Sequence, residues 1–98
     1  MTEKFGKPVL VTTEYRGVFF GYADPAKLDG ETIILSNMRN CIYWSSSVGG
    51  VFGLAVTGPD KQCRIGARVT EFQARKVTSV VAVEPAAVEA WESANVHR

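Results

Sequence analysis

The chain has 98 residues, of which 46% are hydrophobic and 21% are charged, and its formal net charge is +1. A chain of this length and composition is typical of a single small globular domain, here residues 1–98 with an ordered core at about 8–94. The near-zero net charge excludes a strong overall attraction to nucleic acid or to an anionic membrane surface.

Six short segments are rich in β-branched and apolar residues, which is typical of strands. They are residues 9–13, 17–22, 31–36, 39–44, 69–74 and 76–83. A loop over residues 23–30 follows the second strand, and Asn37 with Met38 suits a tight turn between the third and fourth. A brief further strand is predicted at residues 63–65. The apolar sixth strand is predicted to be the central one.

Residues 48–57 are predicted to form a short helix, although three glycines within them lower its intrinsic stability. Three apolar residues fall on one helical face at the spacing i, i+3 and i+4. They are Val51, Leu54 and Ala55. Ser47 is expected to cap the start of this helix, and Gly58 is expected to end it.

A second helix is predicted to begin at Pro85, because proline is well tolerated in the first helical turn. Val88 and Trp91 lie three residues apart and are expected to face inward, whereas Glu89 and Glu92 are expected to face water. Together these elements predict an α+β domain that is mostly β. It consists of a small curled antiparallel sheet or barrel of about six strands, one short inserted helix and a C-terminal helix.

Four segments, taken in order, carry a resemblance to a known family. They are YRGVFFGYA, ETIILSNMRNCIYWSSSVGGVFGLAVTG, RIGARVTEF and VTSVVAVEPAAVEAW, and they span residues 15–91. The chain resembles small uncharacterised proteins encoded by tailed bacteriophages and prophages, whose most specific pattern, L.nar.i.yW, is carried here by residues 35–44. Asn40 departs from the family, because a second basic residue is common at its position. The resemblance implies that the protein is encoded by a phage and has a small accessory role. The family is a domain of unknown function, so the resemblance assigns no catalytic residues.

The chain offers few candidates for catalysis or metal binding. His97 is its only histidine and lies near the C-terminus, so we expect no Ser–His or Cys–His pair within the folded body. Cys41 and Cys63 lack the spacing of metal ligands. The glycine-rich segment 49–53 is not a phosphate-loop motif. A phosphate could still bind the free N–H groups at the start of the helix, but we prefer the interpretation that the glycines allow close packing on the sheet or on a second subunit. We therefore expect no enzyme, no cofactor and no metal.

The cysteines and the apolar pattern also bear on location. Two cysteines are too few for a secreted disulfide scaffold, so we expect both to be free thiols in a reducing compartment. The first residues contain no uninterrupted apolar run of the kind that signal peptides have. No run approaches the length that spans a membrane. These features predict a cytoplasmic protein with no membrane association.

Alternation along the predicted fourth strand assigns its side chains to two faces. Ile42 and Trp44 are expected in the core, with Trp44 as its anchor, whereas Arg39, Cys41 and Tyr43 are expected on the opposite face. Arg39 and Tyr43 would then form a surface pair of the kind enriched at interfaces. In the alternative interpretation, Tyr43 packs beneath the serine run that follows it.

The segment 61–76 carries the one local charge bias of the chain. It contains Lys61, Arg64, Arg68, Arg75 and Lys76 against Glu71 alone. Such a bias is typical of a charged edge strand that resists aggregation. It is also compatible with contact to an anionic partner.

These features favour a non-enzymatic accessory protein that binds a host protein or a small anionic ligand as a homo-oligomer. The apolar segment 48–57, through Val51, Phe52 and Val56, and the outward side of the strand from Arg39 to Tyr43 are expected to contribute to a subunit interface. The alternative is a small nucleic-acid-binding β-barrel. The candidate binding residues, for a small anionic ligand or for nucleic acid, are Arg39, Tyr43, Arg64 and Arg68.

Overall fold

In the computed structural model, which describes residues 6–14, 17–28 and 30–96, six strands and two helices follow one another along the chain. The strands are β1 (Lys7–Thr13), β2 (Gly17–Ala23), β3 (Thr32–Tyr43), β4 (Arg64–Ile65), β5 (Val69–Arg75) and β6 (Val77–Ala82). The helices are α1 (Val51–Val56) and α2 (Pro85–Ser93), and short 3-10 turns lie at Pro25–Lys27 and Ser46–Val48. Asp29, in the predicted loop 23–30, lies outside the described residues.

The strands pair antiparallel in the order β4-β3-β2-β1-β6, and β5 pairs with the first part of β3. Since Lys76 alone connects β5 to β6, the sheet must curl back on itself, but it does not close. The predicted α+β class, with a mostly antiparallel sheet, an inserted short helix and a C-terminal helix, is confirmed. The predicted central position of the last strand is wrong, because β6 lies at the end of the sheet beside β1.

The sheet has an apolar core on each of its faces. The buried side chains inside the curl come from β1, β2, β3 and β5. They are Val9, Val11, Ala23, Ile33, Leu35, Met38 and Ala74. On the other face, α1 and α2 cover a second group of buried side chains, which we call the helix-side core. It comprises Leu10, Val18, Phe20, Cys41, Val48, Leu54, Ala55, Ile65, Val83, Ala87 and Trp91. Successive residues of β1 thus point into different cores, as alternation requires.

Helix α2 fixes the helix-side core through Trp91, which is fully buried. Its indole ring stacks on Phe20, with 5.2 Å between the ring centroids and 6° between the planes. The indole Nε1 donates to the Leu54 carbonyl at 2.9 Å, so the polar atom of the buried ring is satisfied. Trp91 therefore joins α2 to both β2 and α1, and Val88 packs inward beside it, as predicted.

Helix α1 is short and is bounded by glycines. Gly58, which has a φ of 82°, ends it as predicted, and its N–H donates to the Gly53 carbonyl at 3.2 Å. A Cβ at Gly58 would lie 2.6 Å from the Cβ of Ala90 in α2, so this contact requires glycine. The predicted cap at Ser47 is wrong, because Gly50 occupies the N-cap position of α1.

A β-bulge interrupts the pairing of β3 with β2. Residues 37 and 38 of β3 both lie opposite Gly21 of β2, where an unbulged strand places one residue. Asn37 takes the left-handed conformation, with a φ of 51°, which asparagine tolerates better than most residues. The predicted tight turn at Asn37 and Met38 is therefore wrong, because the chain continues through this bulge as one strand rather than two.

The bulge shifts the alternation of side chains along the second half of β3 by one residue. Arg39 and Cys41 face the helices and are buried, and Arg39 is only 3% exposed. Ile42 is 53% exposed and Tyr43 is 50% exposed. The predicted burial of Ile42 and the predicted surface positions of Arg39 and Cys41 are therefore wrong, whereas the exposure of Tyr43 is confirmed. Trp44 is partly buried against the helix-side core and is not its anchor.

The burial of the two tryptophans predicts unequal losses of stability on truncation. Trp91→Ala should lower the free energy of unfolding by about 3–5 kcal/mol, because it empties the centre of the helix-side core and removes the stacking on Phe20. Trp44→Ala should cost less, about 1–2 kcal/mol, because part of its ring is already in solvent. Urea unfolding followed by circular dichroism measures both losses, and a larger loss for Trp44 would contradict this assignment of the core.

Candidate functional site

Arg39 reaches from β3 to the end of α2, where its guanidinium is buried. Its Nη1 donates to the carbonyls of Trp91 at 2.8 Å and Ala94 at 2.6 Å. Its Nε donates to the Gly66 carbonyl at 3.1 Å. The side chain therefore ties the sheet to the last turn of α2 and to the segment before β5. A residue held in this way is not accessible to a ligand, so Arg39 does not belong to a binding surface.

Arg68 lies close to Arg39, and an acidic residue neutralises its charge. Its guanidinium forms a salt bridge with Glu92 of α2, and the other carboxylate oxygen of Glu92 accepts the hydroxyl of Tyr22. The expectation that Glu92 faces water is therefore wrong. Burial lowers the pKa of Arg39, and the charge of Arg68 lowers it further, while Glu92 acts in the opposite direction. Burial, followed by the hydrogen bond to Glu92, raises the pKa of Tyr22 well above its usual range, so its phenol stays protonated.

Tyr43 and Arg64 are the two predicted binding residues that the structure brings together on the surface. They are register partners in the short ladder between β3 and β4. The guanidinium carbon of Arg64 lies 5.6 Å from the centroid of the Tyr43 ring, which is within the range of a cation–π interaction. Both side chains are exposed. They form a small aromatic and cationic surface, which we call the Tyr43–Arg64 pair.

A polar network around Asp60 was not predicted from the sequence. Its Oδ2 accepts the hydroxyls of Ser45 at 2.8 Å and Ser47 at 2.7 Å, and its Oδ1 accepts the Gln62 N–H at 3.0 Å. The thiol of Cys63 also donates to Oδ1, at 3.3 Å. The network fastens the serine run to the segment that follows α1. Ser45 and Ser47 lie 15 and 13 residues before Asp60, so no local sequence pattern indicates the network.

The same bonds make the network sensitive to acid. The hydrogen bonds from Ser47 and Ser45 lower the pKa of Asp60 well below its usual range. Because the folded pKa lies below the unfolded value of about 4, the stabilisation is complete above that value and is lost as the pH falls towards the folded pKa. The network is therefore intact at neutral pH.

The outer side of α1 leaves apolar side chains in solvent. Phe52 is 67% exposed and Val56 is 56% exposed. Leu54 and Ala55 occupy the inner side and are buried, and Val51 packs partly against the same core. Of the three predicted interface residues, Phe52 and Val56 are therefore free to contact another molecule, whereas Val51 contributes mainly to the fold.

Cys41 and Cys63 are both free thiols, as predicted. Among the described residues, no group of three or more histidine, cysteine, aspartate or glutamate side chains is placed to hold a metal ion. His97 lies outside them. No helix within residues 6–14, 17–28 and 30–96 is long and apolar enough to cross a membrane.

A family model matches residues 6–91, from the residue before β1 to Trp91 in α2. The chain belongs to the family described as Domain of unknown function (DUF6948). No curated protein and no solved structure matches it. The DUF6948 match contains Arg39, the Tyr43–Arg64 pair and the whole of α1, so these features lie within the family domain.

The two thiols should differ in reactivity while the protein is folded. Burial raises the pKa of Cys41 to about 12, so this thiol is both protonated and covered, whereas Cys63 is partly exposed. A thiol-reactive disulfide reagent at about pH 8 should label one group per folded chain quickly and the second only in denaturant. Cys63→Ser should abolish the fast reaction, and Cys41→Ser should leave it unchanged. Rapid labelling of both thiols in the folded chain would contradict the burial of Cys41.

Proposed function

We propose that this protein acts by binding another protein, that it does so as a homo-oligomer, and that it is not an enzyme. The observation that carries the proposal is the outer side of α1, where Phe52 and Val56 are both more than half exposed. Soluble proteins usually cover clustered apolar surface of this kind, and such surface marks a place of contact with another molecule.

The length and composition of α1 explain why the described elements leave its outer side uncovered. The helix reads VFGLAV and is apolar throughout, so it has no polar face to turn towards water. Its inner side meets α2, β1 and β6, which leaves the outer side without cover from the described elements. A second copy that presents the same surface would cover both helices at once, as twofold contacts do.

The Tyr43–Arg64 pair supports a contact with a further partner. Tyrosine and arginine are enriched at the centres of protein interfaces, where they combine large contact area with directional hydrogen bonds. In this chain the two side chains lie on neighbouring strands and are held at 5.6 Å by the β3–β4 ladder. They are thus partly ordered before binding, which reduces the entropy lost on association.

The same pair favours a second candidate function, the binding of nucleic acid. An exposed tyrosine beside an arginine can stack a base and contact a phosphate. The candidate is weaker because two of the four predicted residues are committed elsewhere, Arg39 inside the fold and Arg68 to Glu92. Nucleic-acid binding would weaken steeply as salt rises, whereas a largely apolar protein contact would not, so a salt titration separates the two functions.

The setting that we propose is the cytoplasm of a bacterial host, with the protein encoded by a phage or prophage. The resemblance of residues 35–44 to the pattern L.nar.i.yW supports the phage origin. The two free thiols support a reducing compartment. Neighbouring genes test this setting, because early-region genes would favour a role in host takeover and replication genes would favour nucleic-acid binding.

The oligomer should depend on the outer side of α1. Light scattering should give wild type a mass that is a multiple of the 10.7 kDa chain. Phe52→Glu should reduce that mass towards one chain, because it places a charge in an apolar contact. The chain should stay folded, because Phe52 contributes little to the core.

Gln73→Glu provides the matched control, since it adds the same charge at an exposed position of β5. It should leave the mass unchanged. A monomeric wild type at high concentration would refute the homo-oligomer. An oligomer whose mass is the same in Phe52→Glu would refute α1 as its interface.

A further inference from the structure

A cleft separate from the surfaces described above lies between the end of β2 and the first half of β3. Its volume is about 480 Å³, which is within the range of small-molecule sites. Its walls are formed by Tyr22 and Ala23 of β2, by the 3-10 turn Pro25–Lys27 and by residues 32, 34 and 36 of β3. Gly6 also lines it. The cleft therefore has both strand and turn walls.

The first half of β3, before the bulge, turns alternate side chains towards this cleft. Before the bulge, Ile33 and Leu35 point inside the curl and are buried, so Thr32, Ile34 and Ser36 point to the opposite face. On that face the helices cover the part of the sheet around Phe20, where Trp91 of α2 packs. Ile34 lies outside this covered part and is 53% exposed. A β-branched apolar side chain thus stands in the cleft wall between two hydroxyl groups.

Tyr22 in the apolar part of the cleft is held in place by its neighbours. Tyr22 contributes its aromatic ring, and its hydroxyl is held by Glu92 of α2, so the ring is anchored at its far end. Tyr22 also packs edge-on against the buried Phe20, with 5.5 Å between the centroids. Pro25 and Ile34 add apolar surface from the turn and from β3. This wall suits a flat or aliphatic group of a ligand.

The polar part of the cleft offers a ligand carboxylate a cationic contact at Lys27. Among the residues that the structure describes, Asp24 and Lys27 are the charged ones that line it. The carboxylate of Asp24 accepts the N–H of Ala26 at 3.0 Å and caps the turn, which fixes its position and leaves its charge in place. The Lys27 ammonium can bind a ligand carboxylate, and the hydroxyls of Thr32 and Ser36 can donate hydrogen bonds to the same ligand.

We propose that this cleft binds a small amphipathic carboxylate, with the apolar body of the ligand against Tyr22 and Ile34 and its carboxylate near Lys27. The cleft residues are distinct from Phe52, Val56 and the Tyr43–Arg64 pair, so this proposal stands independently of the proposed protein contact. Ligand occupancy and subunit assembly can each be tested without the other.

Benzoate and benzyl alcohol test the proposal, because they share a ring and differ in charge. In amide proton–nitrogen correlation spectra of the full chain, benzoate should shift the resonances of residues 32–36. Benzyl alcohol should bind there about tenfold more weakly, since it lacks the charge-assisted bond to the ammonium. Lys27→Gln should weaken benzoate by about the same factor and leave benzyl alcohol unchanged.

Lys61→Gln is the matched control, because it removes an exposed lysine outside the cleft. It should bind both probes as wild type does. Equal affinities for the two probes, or equal effects of the two lysine variants, would overturn the assignment of Lys27. Absence of shifts at residues 32–36 with either probe at millimolar concentration would overturn the site itself.

Discussion

The bulge at residues 37 and 38 determines which side chains of β3 reach the helices. In an unbulged strand, Arg39 would lie on the same face as Leu35, inside the curl among apolar side chains. The extra residue turns Arg39 to the opposite face, where the carbonyls at the end of α2 accept its N–H groups. The left-handed conformation of Asn37 is thus the local condition for the contact between β3 and α2.

Arg39 supplies hydrogen-bond donors to backbone carbonyls at the end of α2. The last carbonyls of α2 lack donors within the helix and carry a partial negative charge. A buried guanidinium would be costly alone, and here three carbonyl acceptors offset the part of its lost hydration that belongs to Nε and Nη1, while Nη2 is buried without a partner among the described residues. One of these acceptors belongs to Trp91, whose ring fills the helix-side core. The same turn of α2 is therefore held by a polar clamp on one side and an apolar anchor on the other.

Much of the fold follows from local sequence patterns. β1, β2 and α2 were predicted near their observed bounds, because their apolar periodicity is strong and Pro85 marks the start of the last helix. The bulge was missed because asparagine favours both tight turns and left-handed bulge positions, and the sequence does not distinguish them. β6 looked central because its sequence is largely apolar, yet as an end strand it is only partly buried, with Val81 packed against the helix-side core and Val80 against the core inside the curl.

The candidate surfaces were predictable in part, for a related reason. Phe52 and Val56 are exposed because α1 has no polar residues for its outer side. Tyr43 is exposed at the end of β3. Arginine is rarely buried, so nothing in the local sequence indicated that Arg39 enters the fold. Its acceptors lie 27 to 55 residues away in the chain, and only the folded structure brings them together. The pairing of Arg68 with Glu92 is non-local in the same way.

The central claim is that the bulge places Arg39 inside the fold and Ile42 outside it, against the usual preference of both residue types. Urea unfolding of Arg39→Met and Ile42→Asn tests this claim most directly. Arg39→Met should lower the free energy of unfolding by at least about 2 kcal/mol, because three carbonyls lose their donor and methionine cannot replace it. Ile42→Asn should cost clearly less, about 0.5 kcal/mol, because about half of Ile42 is already exposed. A stable Arg39→Met beside a strongly destabilised Ile42→Asn would contradict the account.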